Sequence, residues 1–488
     1  MLKRIRLTVE QRHRRLAPVE FAMTETGRLV TFDPNPGKMN MKHHPQRFQR
    51  RQFLQTVSGL AVGAAGAMLA RADDLPKNRS PRAIFGDSVE PDWDQRVTIT
   101  VGPEKADLAG TTDRVIQAAV DYAARKGGGT VRVLPGTYRL RNSIFLQSKV
   151  RLLGSGEASV LFKEPSVTTK LIVDGDHWDQ EVTLADPKGF QVGDGVRLVS
   201  KDPYGKGTNL IQRTLIASSG NRFKLDRRLE ERFHLEGDPQ IATNFSLLQC
   251  TGVEDVVIEN LTVDGNKAHN EMLDKGAFDD GAIRLDECNR ITVRGVTVRD
   301  FYCDGIVWGI SHDVLVENCH LHDGARLALH SGSGSQRSIV RGNRVQRSAE
   351  GIYFCWGAQH GLYEKNMIED CGYGMTFGHS DSDNLIRDND IRRSGEAGIH
   401  FRGGNKAFAP HRNRIEGNRI VDSGGEKGIG IEINGETEAV VLSKNEIRET
   451  RGRAARIGIL IGAETRDIRS EDNQIEGFAT PVSDLRKK

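Results

Sequence analysis

The chain has 488 residues, only 37% of them hydrophobic, with 53 glycines against 15 prolines, a balance suited to many tight turns around a narrow core rather than to one thick α/β core. Its net charge of +3 is unevenly placed: the first 72 residues carry 13 Lys and Arg against 4 Asp and Glu, leaving 56 basic and 62 acidic residues beyond them. An acidic remainder of this kind speaks against a nucleic-acid partner, and six cysteines at no Cys-x-x-Cys spacing speak against a zinc site.

The basic excess of residues 1–72 is explained by an export signal. Arg50 and Arg51 precede Phe53 and Leu54, a mildly apolar run covers Val57 to Leu69, and Ala70-Arg71-Ala72 offers a small-residue cleavage site. These features look like a twin-arginine signal, which directs the mature protein to the periplasm, the cell surface or the medium. The apolar run is too short and too rich in Gly and Ala for a membrane span of about 20 residues, so no span is expected after cleavage. Residues ahead of it fit no export signal, which makes Met39 or Met41 the expected start. A chain exported already folded is expected to keep buried free thiols rather than a disulfide framework.

After a linker at 73–105, residues 106–166 read as a helix followed by short strands. Asp113 is placed to cap a helix whose apolar positions are Val115, Ile116, Ala119, Val120 and Ala123, and Gly127, Gly128 and Gly129 end it. Strands follow at 130–134 and, beyond Pro135-Gly136, at 137–140. This order of helix, triple glycine, strand and "PGTY" turn resembles the N-terminal segment of the pectate-lyase-like family of right-handed parallel β-helices. The resemblance implies a helix that covers the open end of a solenoid, as stacked coils require.

Residues 167–240 read as a β-rich insertion, and residues 241–478 as the solenoid, followed by a tail at 479–488. A register mark recurs at Leu261, Val296, Cys319, Asn343, Asn366, Asn389, Asn418, Asn445 and Asn473, and two residues after each stands an aliphatic, from Val263 to Ile475. Short alternating strands at this period predict an all-β fold, a single-stranded parallel β-helix with one coil per repeat. Nine marks at about 4.8 Å per coil make a rod of nearly 40 Å. The asparagines from 343 to 473 are expected to form a structural ladder of stacked amides and to suit left-handed turn conformations.

A second phrase in each coil puts two core residues around one outward residue. The pairs are Ile283/Leu285, Ile306/Trp308, Leu327/Leu329, Ile352/Phe354, Met375/Phe377, Ile399/Phe401, Ile431/Ile433 and Ile459/Ile461, which turn Arg284, Val307, Ala328, Tyr353, Thr376, His400, Glu432 and Leu460 outward. The next outward column is Asp286, Gly309, His330, Cys355, Gly378, Arg402, Asn434 and Gly462, and the preceding one includes Asp304, Ala325, Glu350 and Tyr373. The middle coils thereby gather candidate catalytic groups, Asp304, His330, Glu350, Tyr353 and His400, and candidate substrate-binding groups, Arg326, Trp356, Tyr373, His379 and Arg402. An aromatic beside acids, bases and donors suits a groove for a polysaccharide, whose ring faces stack on aromatics.

"YCDGI" at Asp304 is similar to the first catalytic motif of the polygalacturonase-like hydrolases, but Gly324 and Ala325 stand at that family's Asp pair and Glu350 at its His. Two of three catalytic carboxylates are therefore missing, and the likeness is one of scaffold. The leading expectation is an exported, monomeric enzyme that cleaves a uronate-containing polysaccharide by β-elimination. That reaction needs a cation for the sugar carboxylate (Arg402 or Arg326), a base (His330 or His400) and an acid (Tyr353). Two alternatives stay open: inverting hydrolysis by Asp304 and Glu350, two coils or about 9.6 Å apart, and a non-catalytic carbohydrate-binding or cell-surface rod. Asp381 and Asp383 alternate as oxygen ligands of a hard cation such as Ca2+ would, and the sequence points to no other cofactor.

Overall fold

The computed structural model describes residues 90–486, apart from 203, 204, 206, 274–280, 426, 427 and 453–455. Within residues 1–75, a unit of its own, it describes three short antiparallel strands, Arg4–Ile5, Glu20–Met23 and Leu29–Phe32. Arg50, Arg51 and the expected cleavage site at Ala72 lie outside the described residues.

The second unit is a right-handed parallel β-helix. Three sheets of 11, 11 and 13 strands run along it, and each coil gives one strand to each sheet, so that every strand pairs with its counterparts in the coils before and after. Aliphatics stack in register through the interior: Val263, Val298, Leu321, Val345, Ile368, Ile391, Ile420, Ile447 and Ile475 form one unbroken column. Parallel in-register pairing places identical core positions directly over one another, which is why a repeated apolar residue is the strongest mark of a coil.

One helix, α1 (Asp113–Arg125), packs Ile116, Ala119, Val120 and Ala123 into the first coils of the core. Asp113 is its first helical residue and not its cap; the carboxylate instead accepts the backbone N–H of Arg141 at 3.1 Å, tying the helix to the strands it covers. Beyond α1, Gly128 has φ of 107°, and a Cβ there would stand 2.2 Å from the Lys149 carbonyl, so only glycine fits this turn. A six-stranded antiparallel sheet between Thr168 and Ala242 encloses a core of its own that includes Leu198, Phe223 and Phe233. Among the described residues no helix is long and apolar enough to cross a membrane.

The asparagine column is built as a ladder. The side-chain amide of each member donates to the Oδ1 of the next, at 2.9 Å for Asn343 to Asn366, 2.9 Å for Asn366 to Asn389, 2.8 Å for Asn389 to Asn418, 3.0 Å for Asn418 to Asn445 and 2.8 Å for Asn445 to Asn473. The same Oδ1 accepts the backbone N–H of the preceding member, as Asn366 does from Asn343 at 3.1 Å. The left-handed residue of each turn is not the asparagine but the one before it, Gly342, Lys365, Asp388, Gly417, Lys444 and Asp472. A second ladder, which the repeat phrase does not reveal, runs from Asn384 to Asn413.

Candidate functional site

The site lies on the sheet whose middle strands are β1 (Gly281–Asp286), β2 (Asp304–Gly309), β3 (Leu327–Gly332), β4 (Glu350–Phe354), β5 (Tyr373–Phe377), β6 (Ala397–Phe401) and β7 (Ile429–Ile433). On its core side Phe354, Phe377 and Phe401 stack at 3.9 and 4.7 Å, and Trp308 is fully buried with its indole N–H on Ser338. Rigid aromatic packing behind the strands holds the outward residues in fixed positions.

One coil is out of the expected register by two residues. Leu329 and Ser331, not Leu327 and Leu329, take the core positions of β3, and His330 pairs with Val307 on one side and Tyr353 on the other. The outward column is thus Arg284, Val307, His330, Tyr353, Thr376, His400 and Glu432. Gly332 takes the place expected of His330 beside Gly309, and Leu327 that expected of Ala325 beside Glu350. A serine can hold a core position here because Tyr363 donates its buried hydroxyl to Ser331 Oγ at 3.1 Å, which satisfies a polar atom that burial would otherwise penalise.

His330 therefore stands directly beside Tyr353, their rings 5.1 Å apart and edge to face. Its Nδ1 is 2.8 Å from Asp304 Oδ2, and Asp304 also accepts Arg326 Nε at 3.2 Å and the Leu327 N–H at 3.4 Å. Asp304 and His330 are both buried, and burial raises the carboxyl above its ordinary range despite these donors. For His330 burial works downward, but the hydrogen bond to Asp304 and the Cys355 thiol lift it to about 9. The Asp304 contact also fixes the tautomer, with Nε2 turned toward Gly332 and the Cys355 thiol. Arg326 is spent on Asp304 and Met272.

Arg402 reaches across two coils to Tyr353. Its Nη1 hydrogen-bonds the Tyr353 hydroxyl, its guanidinium lies 4.6 Å from the centre of that ring, and Nη2 donates to the Phe354 carbonyl at 3.1 Å. Burial keeps the Tyr353 hydroxyl well above its ordinary range, with Arg402 only partly opposing. Gly378 makes the crossing possible, since a Cβ there would stand 2.5 Å from Arg402 Nε. Cys355, not singled out by the sequence, lies among these groups, its Sγ 3.9 Å from Tyr353 Oη and 3.7 Å from His379 Nδ1.

Glu350 lines the same wall, and its Oε2 is buried without a hydrogen-bond partner. Burial raises its carboxyl, offset in part by the Thr376 hydroxyl and by Arg402, His400 and His330. His400 is farther along the column, its Nδ1 2.7 Å from Glu432, whose carboxyl that contact holds low. Tyr373 sits against it, ring centres 5.1 Å apart. At one edge of the groove Trp356, 57% exposed, stacks on His379 at 4.6 Å with ring planes 12° apart, and Phe408 meets it edge-on at 6.1 Å.

The Asp381/Asp383 pair does not form the expected cation site. Asp381 is fully buried and accepts the N–H groups of Gly357, Ala358 and Gly378 at 3.0, 2.9 and 2.8 Å, while Asp383 is paired with Arg412 at 2.7 Å. Asp383 has a left-handed backbone (φ 61°) outside any strand, so the two residues share no strand face, and both carboxylates are already engaged. Among the described residues no group of three or more His, Cys, Asp or Glu side chains could hold a metal ion.

No curated protein sequence matches the chain. Solved structures similar to it include an exopolygalacturonase from Thermotoga maritima, 13% identical over 76% of this chain and 86% of that one with a TM-score of 0.45. They also include the A-module of a mannuronan C-5 epimerase from Azotobacter vinelandii, 14% identical over 76% and 92% with a TM-score of 0.42. A surface adhesin of Streptococcus pneumoniae is likewise similar, 14% identical over 76% and 88% with a TM-score of 0.48. The family model that matches covers residues 281–429, and the coils that carry Asp304, His330, Tyr353 and Arg402 are a right handed beta helix region.

Proposed function

We propose that the protein is an exported enzyme that cleaves a uronate-containing polysaccharide by β-elimination. The observation that carries this reading is the convergence on Tyr353 of Arg402 from one side and the Asp304-oriented His330 from the other. Arg402 offsets the charge of the sugar carboxylate and of the carbanion character that develops beside it. His330, in its neutral form, takes the proton from the carbon that bears the carboxylate. The electrons of that C–H bond form the new double bond, the glycosidic C–O bond breaks, and Tyr353 gives its proton to the leaving oxygen. Tyr353 still carries that proton near pH 9, where His330 becomes neutral, because burial holds its hydroxyl above the ordinary range. The buried, unpartnered Oε2 of Glu350 is the acceptor a sugar hydroxyl satisfies.

Hydrolysis by Asp304 and Glu350 is disfavoured, since both Asp304 oxygens are engaged, by His330 and by Arg326. The test is a product assay on polygalacturonate, alginate and neutral glycans. Elimination leaves an unsaturated uronate seen by ultraviolet absorbance, and Tyr353→Phe costs about 100-fold in turnover with binding retained. Saturated products, with an active Tyr353→Phe and an inactive Glu350→Gln, overturn the reading in favour of hydrolysis. An uncut, tightly bound polymer points to a binding rod.

A further inference from the structure

Beside the proposed reacting groups, one turn position recurs coil by coil with a left-handed backbone: Ile310 (φ 48°), Ser333 (φ 47°), Trp356 (φ 55°) and His379 (φ 46°). Backbone hydrogen bonds hold them in succession, Ile310 N to Ser333 O at 3.0 Å, Ser333 N to Cys355 O at 2.8 Å and Gly334 N to Trp356 O at 2.7 Å. Their side chains therefore leave the coils in the same direction. A bulky left-handed residue costs conformational energy, and here two of them, Ile310 at 52% and Trp356 at 57%, are also among the most exposed apolar side chains.

One face of Trp356 is covered by His379. On the side of Trp356 away from His379, the next coil carries Ser333 and Gly334 and the one beyond it Ile310. Gly334 has nothing within 4 Å of where a Cβ would stand, and the position between the two large side chains holds the small one of Ser333. Trp356 and Ile310 are two coils apart, about 9.6 Å at the parallel-strand spacing. A flat ring at the middle coil would have about 4.8 Å on each side, within the range of stacking contacts.

We infer that Ile310, Ser333, Gly334 and Trp356 form a slot for a single pyranose ring of the polysaccharide, clasped between the indole face and the Ile310 side chain. The floor of the slot continues into Gly309 and Gly332, and His330 Nε2 lies 3.1 Å from where a Gly332 Cβ would stand. A sugar in the slot thus places its neighbour at the His330–Tyr353 pair, which makes the slot the subsite that fixes the frame of cleavage. The inference rests on the polysaccharide reading above but not on the elimination step.

The test is a binding titration of the full-length protein, by intrinsic Trp fluorescence and by calorimetry, with oligogalacturonate, oligomannuronate and a neutral oligosaccharide in separate arms. Ser333→Phe fills the slot, and the backbone accepts it because Ile, Trp and His hold the same φ one or two coils away. Ser333→Phe and Trp356→Ala are each expected to weaken binding about tenfold or more, whereas Tyr353→Phe keeps binding and loses turnover. Binding of the neutral sugar alone, still abolished by Ser333→Phe, upholds the slot and refutes a uronate substrate. Uronate binding indifferent to Ser333→Phe upholds the substrate and refutes the slot. No binding in any arm overturns both.

Discussion

Replacing Asp304 by Asn isolates what its charge does to His330. The Asn Oδ1 can still accept the Nδ1–H, so tautomer and ring orientation are kept while the negative charge is lost. In the native protein His330 is lifted from its ordinary 6.5 to about 9 although burial opposes the lift. At about 1.4 kcal/mol per tenfold in proton affinity, that distance corresponds to about 3 kcal/mol in favour of the charged ring. Because the folded value is the higher one, this stabilisation is present in full below pH 6.5 and is lost as pH rises through about 9. The burial that raises Asp304 offsets part of it. With the charge gone, only the Cys355 thiol still opposes burial, and His330 falls back from its raised value. If His330 is the base, the rising limb of kcat/KM, near pH 9 in the native protein, moves toward acid in Asp304→Asn. Initial rates by ultraviolet absorbance from about pH 5.5 to 10, with NMR titration of the ring in both proteins, measure it. A limb that stays where it was, or a native ring that titrates near 6.5, refutes the coupling.

Asn366→Ala removes a side chain that accepts from Asn343 N and Nδ2 and donates to Val340 O and Asn389 Oδ1, so chemical denaturation is expected to show a loss of about 3 to 5 kcal/mol with the specific activity of the folded fraction retained. A loss under about 1 kcal/mol would mean that the ladder contributes little. Glu350 has a folded value raised above its ordinary 4.5, so its ionised form costs stability once the pH passes that value. Glu350→Gln is expected to gain thermal stability over the native protein as pH rises from about 4 to 8, and to raise KM about tenfold with little change in kcat. A difference in Tm that does not grow with pH would show that the folded value of Glu350 is not raised.

The rod was legible because its determinants repeat. Parallel coils in register put the same residue type over itself, so Val263 through Ile475 and Asn343 through Asn473 announce the period with no knowledge of the turns between them. The site was legible as a cluster but not as a geometry. Its residues differ from coil to coil by necessity, since chemistry needs an acid, a base and a cation side by side, and the period carries no information about which rotamer reaches which neighbour. Arg402 crossing over Gly378 to Tyr353, and Asp381 turning inward to three backbone N–H groups, depend on such choices.

The two-residue slip at β3 shows how the ambiguity arises. In "LALHSG" the alternation of Leu327 and Leu329 satisfies the core pattern as well as that of Leu329 and Ser331, because a strand shifted by two keeps the same face inward. Apolar residues favour the first reading, whereas in the second a hydroxyl from 32 residues away, that of Tyr363, satisfies the buried Ser331. The consequence is chemical. In the first register His330 would stand beside Gly309 and Cys355, away from the Tyr353 column; in the second it stands beside Tyr353 with Asp304 within reach of Nδ1. The buried hydrogen bond from Tyr363 to Ser331 belongs to the register in which His330 and Tyr353 stand side by side.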